Sequence, residues 1–205
     1  MTTRRPPTIW LGAGIVAVLA LVVAIVASRS GDSAAPTGLE QTRPVAVSGG
    51  ALPVLGQGTD PAIGTTAPEL RGTSFDGTTV NVTRDGRGKL LLFVAHWCPH
   101  CQREVPLVVE HLRGTELPDG VDLVAVATAT GKDRPNYPPS SWLGRVGWTA
   151  PVLADDASGA AATAYGLNGF PYFVAIDRSG KVVGRTSGEI SVAEFDRLAR
   201  TAAGT

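Results

Sequence analysis

The stretch "FVAHWCPHCQREVP", residues 93–106, contains both cysteines of this 205-residue chain, Cys98 and Cys101. It overlaps the end of an apolar run, "KLLLFVA" at residues 89–95, and a continuous apolar run is typical of a strand buried on both faces. We predict that a helix begins near Cys98 and ends near Gly114. The stretch therefore predicts a strand–turn–helix unit that brings Cys98 to the first turn of a helix, with Cys101 one turn further along.

Several kinds of site use two cysteines at this spacing. A zinc site requires four ligands as a rule, and the chain offers only two cysteines and three histidines, with no second CxxC. A c-type haem attachment requires a histidine after the second cysteine, where this chain has Gln102. A purely structural disulfide would close too small a loop to stabilise the fold much. The spacing therefore favours a redox-active pair and no metal site.

The predicted position of Cys98 suits thiol chemistry. The N-terminus of a helix carries unpaired N–H groups and a partial positive charge, which favour a thiolate over a thiol. The thiolate is the nucleophile. Cys101 is expected to lie on the same face and to be less exposed. We therefore assign Cys98 as the thiol that attacks a partner disulfide and Cys101 as the thiol that resolves the mixed disulfide.

The rest of the folded region alternates strands and helices, then ends in a hairpin and a helix. Two extended runs around Asp76 and Gly77 predict an N-terminal β-hairpin. Ser191 and Glu194 form a capping box before an amphipathic last helix. The other predicted elements are strands at residues 121–128, 172–177 and 181–186, an extended segment at 150–156, and short helices from Ser140 and before Gly166. This order predicts an α/β fold with a central mixed sheet flanked by helices.

The N-terminal part is predicted to be an anchor and a linker. Residues 9–28 are uncharged for about the length that crosses a bilayer, and two preceding arginines favour a cytoplasmic position for residues 1–8. The alternative is a cleaved signal peptide, whose apolar region would usually be shorter. Residues 29–60 are rich in Gly, Pro, Ser and Thr, which predicts a flexible linker. The domain at residues 61–205 is then exported to a compartment where disulfides persist.

Neither the net charge nor the two histidines outside the CxxC, His96 and His111, indicate a further functional site. Eighteen Lys and Arg balance eighteen Asp and Glu, so the basic excess that nucleic acid binding needs is absent and we expect no nucleic acid partner. His96 is expected to be exposed and without a role. His111 is expected late in the helix, where a cation suits the helix dipole.

Four segments together resemble the membrane-anchored TlpA/ResA-like branch of the thioredoxin superfamily. They are "APELRGTSFDGTTVNV", "GKLLLFVAHWCPHCQREVP", "APVLADD" and "YGLNGFPYFVAIDRSGKVVG", and the resemblance covers roughly residues 63–202. It implies a thioredoxin fold and thiol–disulfide exchange, for which no cofactor is needed. It also implies a cis peptide between Phe170 and Pro171, facing the cysteines, with Pro171 binding the backbone of the partner.

The resemblance further implies roles for side chains around the pair. Trp97 is expected to flank the substrate groove, with Phe170 and Pro171 as further substrate-binding residues. Glu104, one turn after the inner cysteine, stands where the family has a partly buried acid that helps to move the proton of the inner thiol. Thioredoxin itself has a buried aspartate in the preceding strand, and Leu92 stands at the matching position here.

Pro99 and His100 fill the CxxC and are expected to tune its redox potential. Pro99 suits the first turn of a helix, and His100 would stabilise the thiolate if it were protonated or donated toward it. The nearest relatives usually have proline before the second cysteine, whereas "CPHC" is the motif of the strong periplasmic oxidant DsbA. Because stabilising the thiolate makes the disulfide more oxidising, the direction of exchange stays open.

The sequence as a whole predicts a membrane-tethered, extracytoplasmic thiol–disulfide oxidoreductase of a bacterium. Its expected partners are exported client proteins and a membrane redox donor or acceptor that recycles the pair. Two alternatives use the same fold. A redoxin-type peroxidase would need a "PxxxTxxC" motif, which the chain lacks. A Sco-like copper-binding protein uses CxxxC and a distant histidine, so the spacing here is one residue short.

Overall fold

The computed structural model describes residues 39–205 of the chain. Its strands are β1 (Ala46–Ser48), β2 (Glu69–Thr73), β3 (Thr79–Val82), β4 (Gly88–Val94), β5 (Val121–Ala127), β6 (Val152–Ala154), β7 (Tyr172–Ile176) and β8 (Val182–Ser187). Its helices are α1 (Pro99–Gly114), α2 (Pro139–Val146), α3 (Ala160–Ala164) and α4 (Val192–Ala203). The elements predicted within residues 61–205 are all present, within a few residues of their predicted bounds.

A five-stranded mixed sheet forms the centre of the fold, in the order β6-β5-β4-β7-β8. Strand β4 pairs in parallel with β5 and antiparallel with β7, so that it occupies the middle of the sheet. Strand β6 extends the parallel side and β8 the antiparallel side. The central mixed sheet predicted from the order of elements is therefore confirmed.

Strand β4 is buried along its whole length because both faces of the sheet are covered. On one face, Leu90 and Leu92 pack with residues of α1 and α4, such as Val105 and Leu198. On the other face, Leu91 and Phe93 belong to a second core shared with α3 and the N-terminal strands. The continuous apolar run in the sequence reflects this double burial.

The last helix begins as its capping box predicts. Ser191 is the N-cap residue of α4, and its side chain accepts a hydrogen bond from the backbone N–H of Glu194. The apolar face of α4 is buried through Phe195, Leu198 and Ala202. Because α4 packs against β4, β7 and β8, the segment that precedes it is held beside the start of α1.

The predicted N-terminal hairpin is present and has a third strand. Strands β2 and β3 pair antiparallel, and Asp76 Oδ1 accepts a hydrogen bond from Thr78 N at 2.9 Å in the turn. Gly77 has a φ of +89°, a conformation that glycine adopts without steric cost. Strand β1 pairs antiparallel with β2 and completes a separate three-stranded sheet.

The flexible linker predicted for residues 29–60 is wrong for its second half. Leu52 is buried and its N–H donates to Ala164 O at 2.8 Å. Asp60 forms an ion pair with Arg185, whose side chain is fully buried. Gly166 has a φ of +65°, and a Cβ there would lie 2.2 Å from the carbonyl oxygen of Pro53. The chain before residue 61 is therefore part of the packed domain from at least residue 46.

The predicted cytoplasmic N-terminus, membrane-spanning segment and first part of the linker lie outside the described residues. Within residues 39–205, no helix has both the length and the apolar character to cross a membrane.

Candidate active site

Cys98 lies at the junction between β4 and α1, as the sequence predicts. It is the N-cap residue of α1, with extended backbone angles of φ −73° and ψ 122°, and Pro99 follows in the first helical turn. The Cys98 carbonyl accepts the first helical hydrogen bond, from Gln102 N at 3.1 Å. No acidic residue stands in this first turn. The unpaired N–H groups of the helix N-terminus are therefore available to stabilise negative charge on Cys98.

Cys101 lies deeper than Cys98, and the two side chains are free thiols. Cys98 is 6% exposed and Cys101 is 0% exposed, so only Cys98 reaches the surface. Burial is the main reason why the pKa of Cys101 is raised well above its ordinary value, opposed by a backbone hydrogen bond at Ala95 and reinforced by the charges of Cys98 and Glu104. At neutral pH Cys101 therefore holds its proton and needs an acceptor before it can attack.

The loop before β7 faces the outer cysteine. The Phe170–Pro171 peptide is cis, as the resemblance implied, and Cys98 Sγ lies 4.0 Å from the carbonyl oxygen of Phe170. The ring of Trp97 meets the ring of Phe170 edge-on with a centroid distance of 5.9 Å. Trp97 and Phe170 thus lie together beside Cys98, and the buried Pro171 follows Phe170 in the same loop. The three predicted substrate-binding residues are therefore close together.

Glu104 is a buried carboxyl on the same helix as the cysteines. It is 2% exposed, and its Oε2 accepts a hydrogen bond from Ile190 N at 3.3 Å. Burial raises the pKa of Glu104, and the nearby charge of Glu189 adds to this effect. Because the charge of Glu104 contributes to the raised pKa of Cys101, the two groups are coupled. A carboxyl with a raised pKa is a stronger base than an exposed one, which suits it to accept a proton from a neighbouring thiol.

His100 belongs to an exposed ionic cluster that the sequence does not predict. Its Nδ1 lies 2.5 Å from Glu189 Oε1 and 2.8 Å from Arg103 Nη2. Arg103 donates to both carboxylate oxygens of Glu189, from Nε at 3.1 and 3.2 Å and from Nη2 at 2.5 Å. These hydrogen bonds, first from Arg103 and then from His100, lower the pKa of Glu189 to about 2. Glu189 is therefore a fixed negative charge beside the CxxC.

The expectation that His96 is exposed and without a role is wrong. His96 is 1% exposed. Its Nδ1 donates to the carbonyl oxygen of Pro135 at 2.7 Å, and its Nε2 accepts from Gly131 N at 3.2 Å. Both bonds require the neutral ring with its proton on Nδ1. Because these partners lie 35 and 39 residues further along the chain, local sequence gives no sign of them.

His96 and Trp97 together hold the loop between β5 and α2 against the active site. Trp97 Nε1 donates to the carbonyl oxygen of Ala129 at 2.8 Å. The guanidinium of Arg134 lies 4.9 Å from the centroid of the Trp97 ring, within the range of a cation–π contact. His96 and Trp97, which precede Cys98, thus hold the loop between β5 and α2 in place beside the cysteines.

We expect His96→Ala to lower the free energy of unfolding by about 2–4 kcal/mol, because it deletes a buried ring and leaves a buried donor and acceptor without partners. Burial lowers the pKa of His96 below the unfolded value of 6.5. Its stabilising contribution is thus present above pH 6.5 and is lost as the pH falls toward the folded pKa. Urea unfolding at several pH values measures both effects.

The matched control for this substitution is His100→Ala, because the His100 side chain is 58% exposed. It should change the free energy of unfolding by less than about 0.5 kcal/mol. The wild type and His100→Ala should both lose stability below pH 6.5, and His96→Ala should lose less. Parallel pH dependence in all three proteins would contradict the role assigned to His96.

A shallow depression lies beside Phe170 and Ala129. Its volume is about 300 Å³. Its lining is uncharged and includes Ala129, Gly159, Thr163 and Leu167. Within residues 39–205, no group of three or more His, Cys, Asp or Glu side chains is placed to hold a metal ion.

A CxxC pair at the start of a helix, opposite a cis-proline loop at the centre of a mixed sheet, defines a thioredoxin-like protein. Known proteins agree with this class. The Redoxin family profile matches residues 62–199, and the chain belongs to that family. Its relatives and structural neighbours further identify it as a thiol–disulfide oxidoreductase of the ResA/TlpA-like type.

The similarity to individual proteins extends over most of the described domain. Thiol-disulfide oxidoreductase ResA of Geobacillus thermodenitrificans is 31% identical over 122 residues, which cover 59% of this chain and 67% of the relative. ResA of Bacillus anthracis is 29% identical over 128 residues, covering 62% and 70%. A thioredoxin-family thiol:disulfide interchange protein of Chlorobium tepidum superposes with a TM-score of 0.56 at 28% identity, covering 70% of this chain and 99% of that chain.

Proposed function

We propose that this oxidoreductase exchanges disulfides with exported proteins through Cys98 and Cys101, on the outer side of a bacterial membrane to which residues 9–28 tether it. The observation that carries the proposal is the asymmetry of the pair. Cys98 is an N-cap residue with Sγ 4.0 Å from the Phe170 carbonyl, whereas Cys101 is 0% exposed. One sulfur can meet a protein partner, and the other can react only with the first.

The exchange then proceeds in two steps that conserve sulfur and electrons. In the reducing direction, the Cys98 thiolate attacks one sulfur of a client disulfide, and the other client sulfur leaves as a thiolate. Cys101 gives up its proton and attacks Cys98 Sγ, which releases the second client thiolate. The client gains two electrons, and the protein is left with a Cys98–Cys101 disulfide. A client dithiol drives the same steps backwards and leaves the protein reduced.

Residues around the pair bind the client and move the proton. Trp97, Phe170 and Pro171 form the surface on which the client segment lies, and the uncharged depression beside Phe170 offers room for one of its side chains. Glu104 takes the Cys101 proton when the mixed disulfide resolves and returns it in the reverse direction. Pro99 and His100 set the stability of the Cys98 thiolate. No cofactor takes part.

The tether and the compartment rest on the sequence of the N-terminal part. Residues 9–28 are long enough to span a bilayer, and Arg4 and Arg5 precede them. A membrane redox donor or acceptor would return the pair to its starting state after each exchange. Membrane attachment would hold the domain near such a partner.

We expect full-length Cys101→Ser, expressed in its own host, to accumulate mixed disulfides with client proteins. Cys98 can still attack, but the thiol that would release the client is missing. Acid quenching, alkylation and non-reducing electrophoresis would show the adducts as bands that disappear on reduction. Mass spectrometry of the bands is expected to identify exported proteins and a membrane redox protein.

The control is the double variant Cys98→Ser with Cys101→Ser, which should form no such adducts. Adducts that persist in the double variant would mean that they do not involve the pair, because the chain has no other cysteine. Adducts made only with cytoplasmic proteins would contradict the proposed compartment. The gel gives the first result, and mass spectrometry of its bands gives the second.

A further inference from the structure

His100 forms an exposed cluster with Arg103 and Glu189, and these two residues have no part in the exchange steps described above. His100 and Arg103 lie on the first turns of α1, and Glu189 arrives from the segment between β8 and α4, 86 residues after Arg103. The cluster is fully bonded within itself: Arg103 donates to both oxygens of Glu189, and His100 Nδ1 meets one of them. Its position beside the CxxC suggests an effect on the thiols.

We propose that Glu189 is a positioning residue for the thiol chemistry, because it binds Arg103 and His100 and withholds their positive charge from the Cys98 thiolate. The Cys98–Cys101 disulfide is then less oxidising than the CPHC sequence alone implies. This inference rests on the proposed roles of Cys98 and Cys101.

The charge of the cluster reaches Cys98. The pKa of Arg103 is raised chiefly by Glu189, and the charge of Cys98 raises it further, so the guanidinium and the thiolate interact. The first turn of α1 carries no acidic residue of its own. Glu189 therefore brings to this turn a carboxylate that the helix itself does not supply. The other carboxyl near the pair, Glu104, is buried and accepts its hydrogen bond from Ile190 N, outside this cluster.

The sign of the effect follows from counting charges. With Glu189 ionised, Arg103 and Glu189 cancel, so the cluster carries no net charge when His100 is neutral and one positive charge when His100 is protonated. Glutamine at position 189 leaves the charge of Arg103 uncompensated, which gives one or two positive charges. Even if His100 then lost its proton completely, the cluster would be no less positive than in the wild type. Replacing Glu189 therefore leaves more positive charge beside Cys98, unless His100 gives up its whole charge, and should stabilise the Cys98 thiolate.

The test is the redox equilibrium of the full chain with glutathione, for the wild type and Glu189→Gln. We expect the equilibrium constant for reduction of the protein disulfide by glutathione to rise about threefold to tenfold, where tenfold corresponds to about 30 mV. Thiol labelling after acid quenching measures the oxidised fraction. The ultraviolet absorbance of the thiolate, measured for the reduced proteins at one fixed pH, should be higher in the variant. The difference should shrink as salt is added, because the cluster is exposed.

The matched control is Glu110→Gln. Glu110 is an exposed carboxylate on the same helix that also pairs with an arginine three residues away, Arg113. It lies about 18 Å along the helix from Cys98, beyond the Debye length of about 8 Å at physiological salt. The redox equilibrium of Glu110→Gln should equal that of the wild type. A change as large as in Glu189→Gln would overturn the proposal.

Arg103→Gln removes the positive partner of the same ion pair and provides a second test, which does not depend on Glu189→Gln folding. It should shift the equilibrium in the opposite direction, and the double variant with Glu189→Gln should return close to the wild type because the two lost charges cancel. If each substitution acted by damaging the structure, the two effects would instead add in the double variant. A Glu189→Gln equilibrium equal to that of a redox-active wild type would overturn this inference, whereas a wild type without a redox transition would overturn the proposed function itself.

Discussion

Cys98→Ser is expected to reduce the rate of thiol–disulfide exchange by at least about a thousandfold, because a serine hydroxyl does not ionise near neutral pH and the thiolate is the attacking species. Cys101 cannot take over this role, since it is 0% exposed and its pKa is raised by burial. The measurement is the rate at which the reduced protein reacts with oxidised glutathione, followed by thiol labelling.

Cys101→Ser is the matched comparison, since it removes one thiol from the same helix. It should keep the attack of Cys98 on glutathione and stop at the mixed disulfide, which mass spectrometry detects as an added glutathione. The opposite pattern, in which Cys98→Ser reacts and Cys101→Ser does not, would reverse the roles assigned to the two thiols. Equal rates in both variants and the wild type would mean that neither cysteine takes part in the exchange.

The elements that position the cysteines could be predicted from the sequence because local patterns determine them. Strand β4 is a continuous apolar run, and it lies at the centre of a sheet covered on both faces. The start of α4 is marked by Ser191 and Glu194, which form the predicted cap. A strand followed at once by a CxxC helix requires only short-range information, and its bounds differ from the predicted ones by a residue or so.

The segment before residue 61 was missed for a physical reason. Its attachment depends on backbone hydrogen bonds, from Leu52 N to Ala164 O and from Leu55 N to Gly166 O, and on one ion pair between Asp60 and Arg185. Backbone groups leave no mark in a sequence pattern. A composition rich in Gly, Pro and Ser indicates that a segment has no core of its own, but it does not exclude attachment to the core of a neighbouring domain.

The residues around the cysteines also fall into two groups, those that could be found from the sequence and those that could not. Trp97, His100 and Glu104 lie within six residues of the pair. His100 was singled out as part of the CxxC, and Trp97 and Glu104 were singled out by the family resemblance. Glu189 could not be found in this manner, since it lies 86 residues after Arg103 and reaches it only because α4 packs beside α1. His96 was misjudged because a lone histidine in a sequence does not reveal whether backbone partners will bury it.

Glu104→Gln is expected to slow the resolution of a mixed disulfide by about tenfold or more near neutral pH, because Cys101 then has no internal proton acceptor. Glutamine keeps the shape of the side chain and an oxygen that can accept the hydrogen bond from Ile190 N. The measurement is the decay of a preformed adduct between Cys98 and glutathione, by rapid quench and mass spectrometry. Glu110→Gln, an exposed carboxylate on the same helix, should decay at the wild-type rate.

Two effects of Glu104 oppose each other, and the experiment separates them. Its charge raises the pKa of Cys101, so glutamine should increase the thiolate population and, if electrostatics alone mattered, accelerate resolution. Slower resolution therefore requires lost proton transfer, and faster resolution would contradict the role of Glu104 as a proton shuttle.

The same substitution should change the stability of the fold in a different way. Because burial raises the pKa of Glu104, its contribution is present below the unfolded value of 4.5 and is lost as the pH rises through the folded pKa. Glu104→Gln should thus be more stable than the wild type at alkaline pH and similar to it below pH 4.5.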